Sequence, residues 1–372
     1  MDFLYVVLPA LLVILALLWL WFVARRFRSL RVSRRSRSGK FIERLGLSLV
    51  GVFLVLVAAS SAINAVLLHR ARAAMPGQLY LVDGHHMRLD CTGSGSPVLV
   101  LDSGLGNDGL VWSGVTSILA QTTRVCSYDR AGMGWSDMVP PPRDADHIAD
   151  QLHGLLAAAG VHGPIVLMGH SIAGLYIRDY AARYPAQIAG LIFVDSSSPF
   201  QNRDPAFRSE MQSMPSPVRV ALMQSTFVLG LPRWSGQCSN GFPMLDHTIA
   251  VLASESRCHL LVASPLGEAR SFDASSSQTA TTTFGALPIL VFSSDPARTL
   301  ADHQPPAIVE AWTHMQEKLA GLSTRSRRII AKGSPHYIML ERPELIVEEV
   351  PLFVAQVRGS SQPYPWGTTS TE

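Results

Sequence analysis

One serine of this chain lies where the sequence pattern suits nucleophilic chemistry. Residues 164–171 form a predicted apolar strand that ends at Ser171 and runs directly into a predicted helix. A serine at such a sharp strand-to-helix turn projects its hydroxyl above the sheet, and it needs small residues two positions before and after it. Gly169 and Ala173 meet that need, with alanine where the usual pattern has glycine, and Gly174 follows. The segment therefore predicts a nucleophile elbow.

Two backbone amides are predicted to stabilise negative charge beside this serine. The amide of Ile172 opens the new helix, whose positive dipole end favours charge that develops on a bound carbonyl oxygen. A second amide is expected from Leu105, in the glycine-rich loop after the strand at 97–104. Asp102 and Ser103 precede this loop and are interpreted as turn residues. A serine beside two converging amides predicts acyl chemistry with an oxyanion hole.

Short strands and helices alternate after residue 75, which is typical of an α/β protein with a mostly parallel sheet. The stretch 199–285 interrupts this alternation with partly helical sequence and is predicted to be a lid. Eight strands are predicted, of which the first two form a hairpin: 79–83, 86–91, 97–104, 123–129, 164–171, 190–197, 288–295 and 327–334. The expected organisation is a transmembrane hairpin at 1–74, an α/β core in two parts at 75–198 and 286–359, the lid at 199–285 and a disordered tail at 360–372.

Four motifs give the chain a resemblance to a known superfamily. They are the segments 102–106 (DSGLG), 128–137 (YDRAGMGWSD), 169–174 (GHSIAG) and 333–337 (GSPHY). Over residues 79–355 the chain resembles the α/β-hydrolase fold superfamily, in its esterase/acyltransferase-like branch. The resemblance implies an α/β-hydrolase fold with an eight-stranded, mostly parallel sheet and a helical lid insertion. It also implies that Asp129 and Arg130 brace the top of the sheet beside the active site.

The resemblance also implies the partners of Ser171. In this superfamily the order along the chain is serine, acid, histidine. His336 follows the last predicted strand and matches the terminal histidine, so it is the expected general base. Asp295 ends the seventh strand and is the expected acid, which holds the histidine in its working tautomer. Asp195, at the end of the sixth strand, stays open as the alternative acid.

Together these residues predict a serine hydrolase that cleaves a carboxylic ester through an acyl-enzyme intermediate and requires no cofactor or metal. The expected partner is a small-molecule ester with an apolar acyl group, and the apolar run 220–231 is a candidate lining of its site. Acyl transfer, peptide cleavage and carbon–carbon bond hydrolysis stay open, because the lid pocket decides between them. A non-catalytic binding or signalling protein on the same scaffold is a further alternative. Aspartate-nucleophile chemistry is disfavoured because the elbow holds serine.

Two uncharged segments near the N-terminus are long enough to cross a bilayer. They are residues 3–24 and 45–68, and the stretch 25–40 between them carries seven Arg and one Lys. The positive-inside rule places this basic stretch in the cytoplasm, so the chain after Leu68 is expected on the extracytoplasmic side. A cleaved signal peptide in the second segment, with a site near 58–62, is the alternative. A buried hairpin of a soluble protein is a further alternative.

The charge of the whole chain is uneven along the sequence. Of 31 Lys and Arg residues 11 lie in residues 1–74, which hold only two of the 28 Asp and Glu residues. The remaining 298 residues therefore carry 20 basic and 26 acidic side chains, a net of −6. Nucleic-acid binding needs a basic face on the folded domain, so this composition argues against a nucleic-acid partner. The positive charge of the chain belongs to its predicted anchor.

The four cysteines are compatible with two disulfides. The resemblance makes the second and fourth strands neighbours, so Cys91 and Cys126 can reach disulfide distance. Cys238 and Cys258 can pair likewise within the insertion, and an oxidising extracytoplasmic site permits both bonds. Four buried free thiols are the alternative.

Overall fold

The computed structural model describes residues 3–33, 35–207, 215–238, 245–259, 263–280 and 283–372, and its chain divides into two compact units. The first unit comprises Met1–Met75, Pro217–Asn240 and Ser254–His259; the second comprises Pro76–Ser216, Gly241–Ala253 and Leu260–Glu372. The predicted lid at 199–285 is therefore not one body, because parts of it belong to each unit. Residues 208–214, 239–244, 260–262 and 281–282 of that stretch lie outside the described residues.

Two long helices form the centre of the first unit. Helix α1 spans Leu8–Val32 after a single π-helical segment at Phe3–Val7, and helix α2 spans Arg37–Ala73. Each helix is long and apolar enough to cross a membrane, and most of its apolar side chains are exposed. The indole Nε1 of Trp19 donates a hydrogen bond of 3.3 Å to the carbonyl oxygen of Leu47, which joins the two helices.

The basic stretch between these helices is mostly helical rather than a loop. Helix α1 ends at Val32 and α2 begins at Arg37, so most of the predicted loop at 25–40 extends one helix or begins the other. Glu43 of α2 pairs with Arg26 of α1 at 2.6 Å and also contacts Arg35. The Ser36 side chain caps the start of α2 by accepting a hydrogen bond from the backbone N–H of Gly39. Together with the ion pairs, this cap explains why the helices continue into the polar sequence.

The first unit also contains short helices from the insertion. Helix α6 spans Pro217–Val228, helix α7 spans Leu231–Trp234, and helix α8 spans His247–Cys258, whose last residues belong to this unit. Cys238 and Cys258 form a disulfide, as the sequence suggested.

The second unit is built on one sheet of nine strands in the order β1-β2-β4-β3-β5-β6-β7-β8-β9. Strands β1 and β2, and β2 and β4, are antiparallel, and all other neighbours are parallel. Every residue of β3, β5 and β7 is buried, as expected for central strands of a parallel sheet. The strands span Gln78–Val82, His85–Thr92, Val98–Asp102, Val125–Tyr128, Ile165–His170, Ile188–Val194, Ile289–Ser294, Ser326–Ala331 and Thr369–Thr371.

Helices of the second unit follow the strands and pack on the sheet. Helices α4 and α5 lie against each other and against α10 of the insertion, and α12 packs on β7 and β8. Apolar side chains at helical spacing on α4, such as Ile148, Leu152 and Leu155, are buried in this layer. The helices are α3 (Ser113–Leu119), α4 (Ala145–Ala158), α5 (Ala173–Arg183), α9 (Ala263–Arg270), α10 (Phe272–Thr279), α11 (Pro296–Ala301), α12 (Pro306–Ala320), α13 (Ile338–Glu341) and α14 (Pro343–Val357).

The C-terminal tail is ordered, so the prediction of disorder at 360–372 is wrong. Residues Thr369–Thr371 form β9, which pairs in parallel with β8 and makes the sheet nine-stranded rather than eight-stranded. The ring of Trp366 packs edge-on against Phe353 at 6.1 Å, and Arg327 bonds to the Glu372 carboxylate at 2.9 Å. The aromatic contact and this ion pair keep the tail on the second unit, although its serines and prolines suggested disorder.

The second expected disulfide joins the antiparallel edge of the sheet. Cys91 of β2 and Cys126 of β4 are directly opposite each other in the strand pairing, with Cα atoms 4.0 Å apart, and they are bonded.

Candidate active site

Ser171 lies in the turn between β5 and α5 with a φ angle of +56°, which is in the left-handed region. This is the strained conformation that a nucleophile elbow requires. Gly169 has little room for a side chain, since an added Cβ would lie 3.0 Å from the carbonyl oxygen of Ala173. At Gly174 an added Cβ would come within 2.5 Å of the Ser196 side chain. Close contacts therefore favour glycine at positions 169 and 174. The alanine at 173 is fully buried at the start of α5, where its methyl group fits.

A continuous chain of hydrogen bonds joins three side chains at the carboxyl end of the sheet. The Oγ atom of Ser171 lies 3.1 Å from Nε2 of His336, and Nδ1 of His336 lies 2.7 Å from Oδ2 of Asp195. With Nδ1–H donating to the carboxylate, Nε2 is free to accept the serine proton. The structure thus brings together Ser171 and His336, as predicted, and Asp195, which was the alternative acid.

Asp195 is buried and its carboxylate is held on both oxygens. Oδ1 accepts a hydrogen bond of 2.9 Å from the backbone N–H of Ser294 and another of 2.9 Å from the indole N–H of Trp312. These two donors leave Oδ2 directed at His336. Trp312, on α12, is a positioning residue that sequence reasoning missed, because nothing in its local pattern indicates its partner.

Asp295 does not contact His336, so the expectation that it would be the acid is not met. Its Oδ1 accepts from the backbone N–H of Ala297 at 2.9 Å, and its Oδ2 accepts from the backbone N–H of Gly333 at 2.8 Å. Asp295 is therefore the N-cap of α11 and a brace for the loop that carries His336. The sequence held a signal for this role: aspartate followed by proline is typical of an N-cap and the first residue of a helix.

The buried His170 fixes the backbone of His336. Its Nε2 lies 3.0 Å from the carbonyl oxygen of His336, to which it donates, and the two rings are 4.5 Å apart. Burial, together with the neighbouring His336, lowers the pKa of His170 well below its usual range. A neutral His170 keeps positive charge away from the base while it holds the base in place.

The loop after β3 lies directly against the elbow. An added Cβ at Gly104 would be 2.7 Å from Nδ1 of His170 and 3.3 Å from Cβ of Ser171, so only glycine permits this approach. Arg130 anchors the loop because its guanidinium donates to the carbonyl oxygens of Ser103 and Gly104. Leu105, whose amide was predicted to face the oxyanion, follows immediately.

Arg130 is part of a buried cluster of four charges. It pairs with Asp102 at 2.6 Å and with Glu268 of α9 at 2.9 Å, and Glu268 also pairs with Arg143 at 3.2 Å. Tyr176 adds a hydroxyl donor to Glu268 at 3.3 Å. Burial opposes the charged form of Arg130, but Glu268 and Asp102 raise its pKa well above its usual range. The bracing role predicted for Arg130 thus extends to the insertion, through a glutamate that sequence reasoning missed.

Asp129 braces the segment that precedes this arginine. Its carboxylate accepts from the backbone N–H of Gly109 at 2.8 Å and of Trp135 at 3.0 Å, and it pairs with Arg88 at 3.1 Å.

A cavity of about 370 Å³ opens beside Ser171 and His336. All of its lining residues belong to the second unit. The apolar side chains of Phe207, Ile308, Val309 and Trp312 line part of it, together with polar groups that include Gln201 and Gln304. The run 220–231, which was expected to line the site, belongs to the first unit instead.

Within the described part of the chain, no group of three or more His, Cys, Asp and Glu residues is placed to hold a metal ion. The adjacent histidines His85 and His86 lie in the β1–β2 hairpin, where His86 Nδ1 is 3.1 Å from the Asp137 carboxylate.

Comparison with known proteins agrees with this fold. The alpha/beta hydrolase family matches residues 98–349. An AB hydrolase superfamily protein of Gibberella zeae is 26% identical over 317 residues, 77% of this chain and 94% of that protein. The structure of a thermophilic esterase from Thermogutta terrifontis aligns with a TM-score of 0.51 at 22% identity, over 76% of this chain and 99% of that one, which is a likeness of fold.

A shorter match is to the probable transporter efuK of Hormonema carpetanum, 36% identical over 135 residues. The match takes in 34% of this chain but only 19% of that protein's length.

The nine-stranded sheet and the elbow are those of the α/β-hydrolase fold. Because the family match covers more than half of the chain, the protein belongs to the alpha/beta hydrolase family.

The two aspartates can be separated by matched substitutions. We expect Asp195→Asn to slow labelling of Ser171 by a fluorophosphonate probe by about 10⁴-fold, because an amide cannot hold His336 in the tautomer that accepts the serine proton. Asp295→Asn should stay within about tenfold of the parent rate, since its side chain caps a helix. The labelling rate of each variant is measured on folded protein. The reverse ranking would refute the assignment of Asp195.

The charge cluster gives a prediction on stability. Glu268→Gln should lower the free energy of unfolding by about 3–5 kcal/mol, because it leaves Arg130 and Arg143 buried without their shared counter-charge. Urea unfolding of the purified protein measures the change. Glu310→Gln, on the exposed face of α12, is the matched control and should change stability by less than about 0.5 kcal/mol. Equal effects of the two substitutions would contradict the role of the cluster.

Proposed function

We propose that this protein is a membrane-anchored serine hydrolase that cleaves carboxylic esters through an acyl-enzyme intermediate. The observation that carries the proposal is the continuous bonding from Ser171 through His336 to Asp195 at a left-handed elbow. The coarser statement, that the chain is a hydrolase of the α/β class, rests on the family match.

In the proposed reaction Ser171 attacks the ester carbonyl carbon while His336 Nε2 accepts the hydroxyl proton. Asp195 stabilises the resulting imidazolium and does not itself take the proton. The amides of Leu105 and Ile172 stabilise the tetrahedral oxyanion. His336 then protonates the leaving alkoxide, and in the second half it activates a water that releases the acid from the serine. No cofactor enters these steps.

The cavity supports a substrate of modest size with an apolar part. Its volume of about 370 Å³ is near the lower end for small-molecule sites. Phe207, Ile308 and Val309 offer apolar contact for an acyl or alcohol chain, and the described lining holds no lysine or arginine that would favour an anionic substrate. A neutral ester with a short or medium chain fits this lining best.

Membrane anchoring is proposed from helices α1 and α2. Both are apolar and largely exposed, and basic residues cluster where the two helices meet at residues 25–40. The positive-inside rule then places this basic end in the cytoplasm and the catalytic unit on the extracytoplasmic side. The two disulfides, Cys91–Cys126 and Cys238–Cys258, support an oxidising compartment.

The catalytic part of the proposal is tested by hydrolysis of p-nitrophenyl esters of increasing acyl length. Ser171→Ala should lower kcat/KM by at least about 10³-fold, because the nucleophile is removed. Ser117→Ala, on the exposed surface of α3, should keep the parent rate. An unchanged rate in folded Ser171→Ala would defeat the serine-hydrolase proposal.

The topology is tested separately from the chemistry. An alkaline phosphatase reporter fused after Glu372 should be active, and a green fluorescent protein fused there should stay dark in a bacterial host, because the C-terminal half is expected outside the cytoplasm. The opposite pair of signals would contradict the extracytoplasmic placement without affecting the proposed reaction.

A further inference from the structure

The C-terminal end of α6 is hydrogen-bonded to polar side chains of α2. Ser60, Ser61 and Asn64 lie within the otherwise apolar sequence of α2, and each donates to a backbone carbonyl oxygen at the C-terminal end of α6, where the regular helical hydrogen bonds stop. The bonds are 2.6 Å from Ser60 Oγ to Leu229, 3.0 Å from Ser61 Oγ to Val228 and 3.0 Å from Asn64 Nδ2 to Phe227. The insertion thus supplies hydrogen-bond acceptors for the three polar side chains of α2, which would be costly to expose to lipid.

The turn after α6 is shaped for this contact. Gly230 has a φ of +76°, and an added Cβ would lie 3.0 Å from the Asn64 side chain. The indole N–H of Trp234 donates to Ser60 Oγ at 2.7 Å. Arg233 bonds to Asn64 Oδ1 at 3.1 Å and makes two bonds of 2.6 Å to Glu255. Residues 217–234, here called the docked segment, are therefore fixed to α2 by several independent bonds.

The height of the docked segment along α2 follows from helix geometry. The uncharged part of α2 starts at Leu45, so Ser60 lies about 22 Å and Asn64 about 28 Å further along the helix axis. The hydrocarbon core of a bilayer is about 30 Å thick. If α2 spans the bilayer from Leu45, the docked segment lies at the outer boundary of the hydrocarbon. Tryptophans such as Trp234 favour that depth.

The docked segment exposes an unusual number of large apolar side chains for its length. The exposed fractions are 70% for Val218, 64% for Leu222, 38% for Met223, 46% for Leu231 and 61% for Trp234. Exposed apolar surface of this kind marks a contact with a membrane or another protein. Its bonds to a proposed spanning helix, at the level of the outer interface, favour lipid over protein as the partner.

We propose that the docked segment is a second membrane contact, in which these five side chains insert into the outer leaflet at the depth of the glycerol backbone and upper acyl chains. The inference rests on the anchoring part of the proposed function. It adds that the insertion of this hydrolase, as well as the N-terminal hairpin, is seated in lipid.

The test uses the full chain reconstituted in phosphatidylcholine vesicles. Because all four cysteines are in disulfides, a single introduced cysteine can carry a nitrobenzoxadiazole label. Leu222→Cys reports on the docked segment, Leu56→Cys on the middle of the bilayer-spanning part of α2, and Leu352→Cys on the exposed surface of the second unit. Each is read with lipids that carry a spin label at a shallow or a deep position of the acyl chain.

We expect at least about twofold quenching of the label at 222 by the shallow spin label, stronger than by the deep one. The label at 56, about 16 Å from Leu45 along the helix axis, should show the opposite depth order, and the label at 352 should be unaffected. Val218→Cys is the second position, used with Leu222→Cys so that the result does not depend on one variant folding.

The outcomes separate the two proposals. Quenching at 56 without quenching at 218 and 222 would overturn this inference and leave the anchor intact. A blue-shifted but unquenched label at 222 would indicate a protein partner or a second copy, and would also overturn it. Lack of quenching at 56 as well would refute the anchoring part of the proposed function, and with it this inference, while ester hydrolysis would be judged on its own assay.

Discussion

The site depends on two left-handed backbone turns at the ends of neighbouring parallel strands. Ser171 after β5 has φ +56° and Asp195 after β6 has φ +41°. Residues other than glycine adopt this conformation at a cost of about 1–3 kcal/mol each, so the surroundings must compensate. Backbone bonds between the turns do so, with Ser171 N donating to Val194 O at 3.2 Å and Ser197 N donating to Ser171 O at 2.8 Å. These bonds fix Ser171 and the Asp195 carboxylate relative to each other.

Strand adjacency explains why Asp195 rather than Asp295 reaches the histidine. β6 is the direct neighbour of β5, and its turn sends the Asp195 carboxylate toward the loop after β8. The carboxylate of Asp295, after β7, is already occupied by the N–H of Ala297 and that of Gly333. Both Asp295 oxygens are directed at these backbone amides, and neither is oriented toward the imidazole of His336. Asp195 therefore bonds to the His336 ring, whereas Asp295 bonds to the loop that carries His336.

The local sequence predicted the elbow well. A sharp strand-to-helix turn at a serine needs small residues on both sides, and these lie within a few positions of the serine in the sequence. Gly169 and Gly174 meet their neighbours closely enough to require glycine. The choice of acid depends on strand order and on competition for N–H donors, which are tertiary facts. Even so, the Asp295–Pro296 pair carried the helix-cap signal and could have shifted the choice. The bond from Trp312 to Asp195 has no local signature at all.

The insertion shows why a stretch that interrupts a sheet cannot be assumed to be one lid. Its later part is fixed within the second unit, since Glu268 completes a cluster of two positive and two negative side chains and Arg178 of α5 donates to the carbonyl oxygen of Thr279 at 2.8 Å. Removing one member of such a buried cluster is costly, because the opposite charge stays buried without its partner. Its earlier part, residues 217–234, is bonded to α2 just as firmly. The later part of the insertion thus supports the loop after β3 through Arg130, and its earlier part is bonded to the proposed anchor.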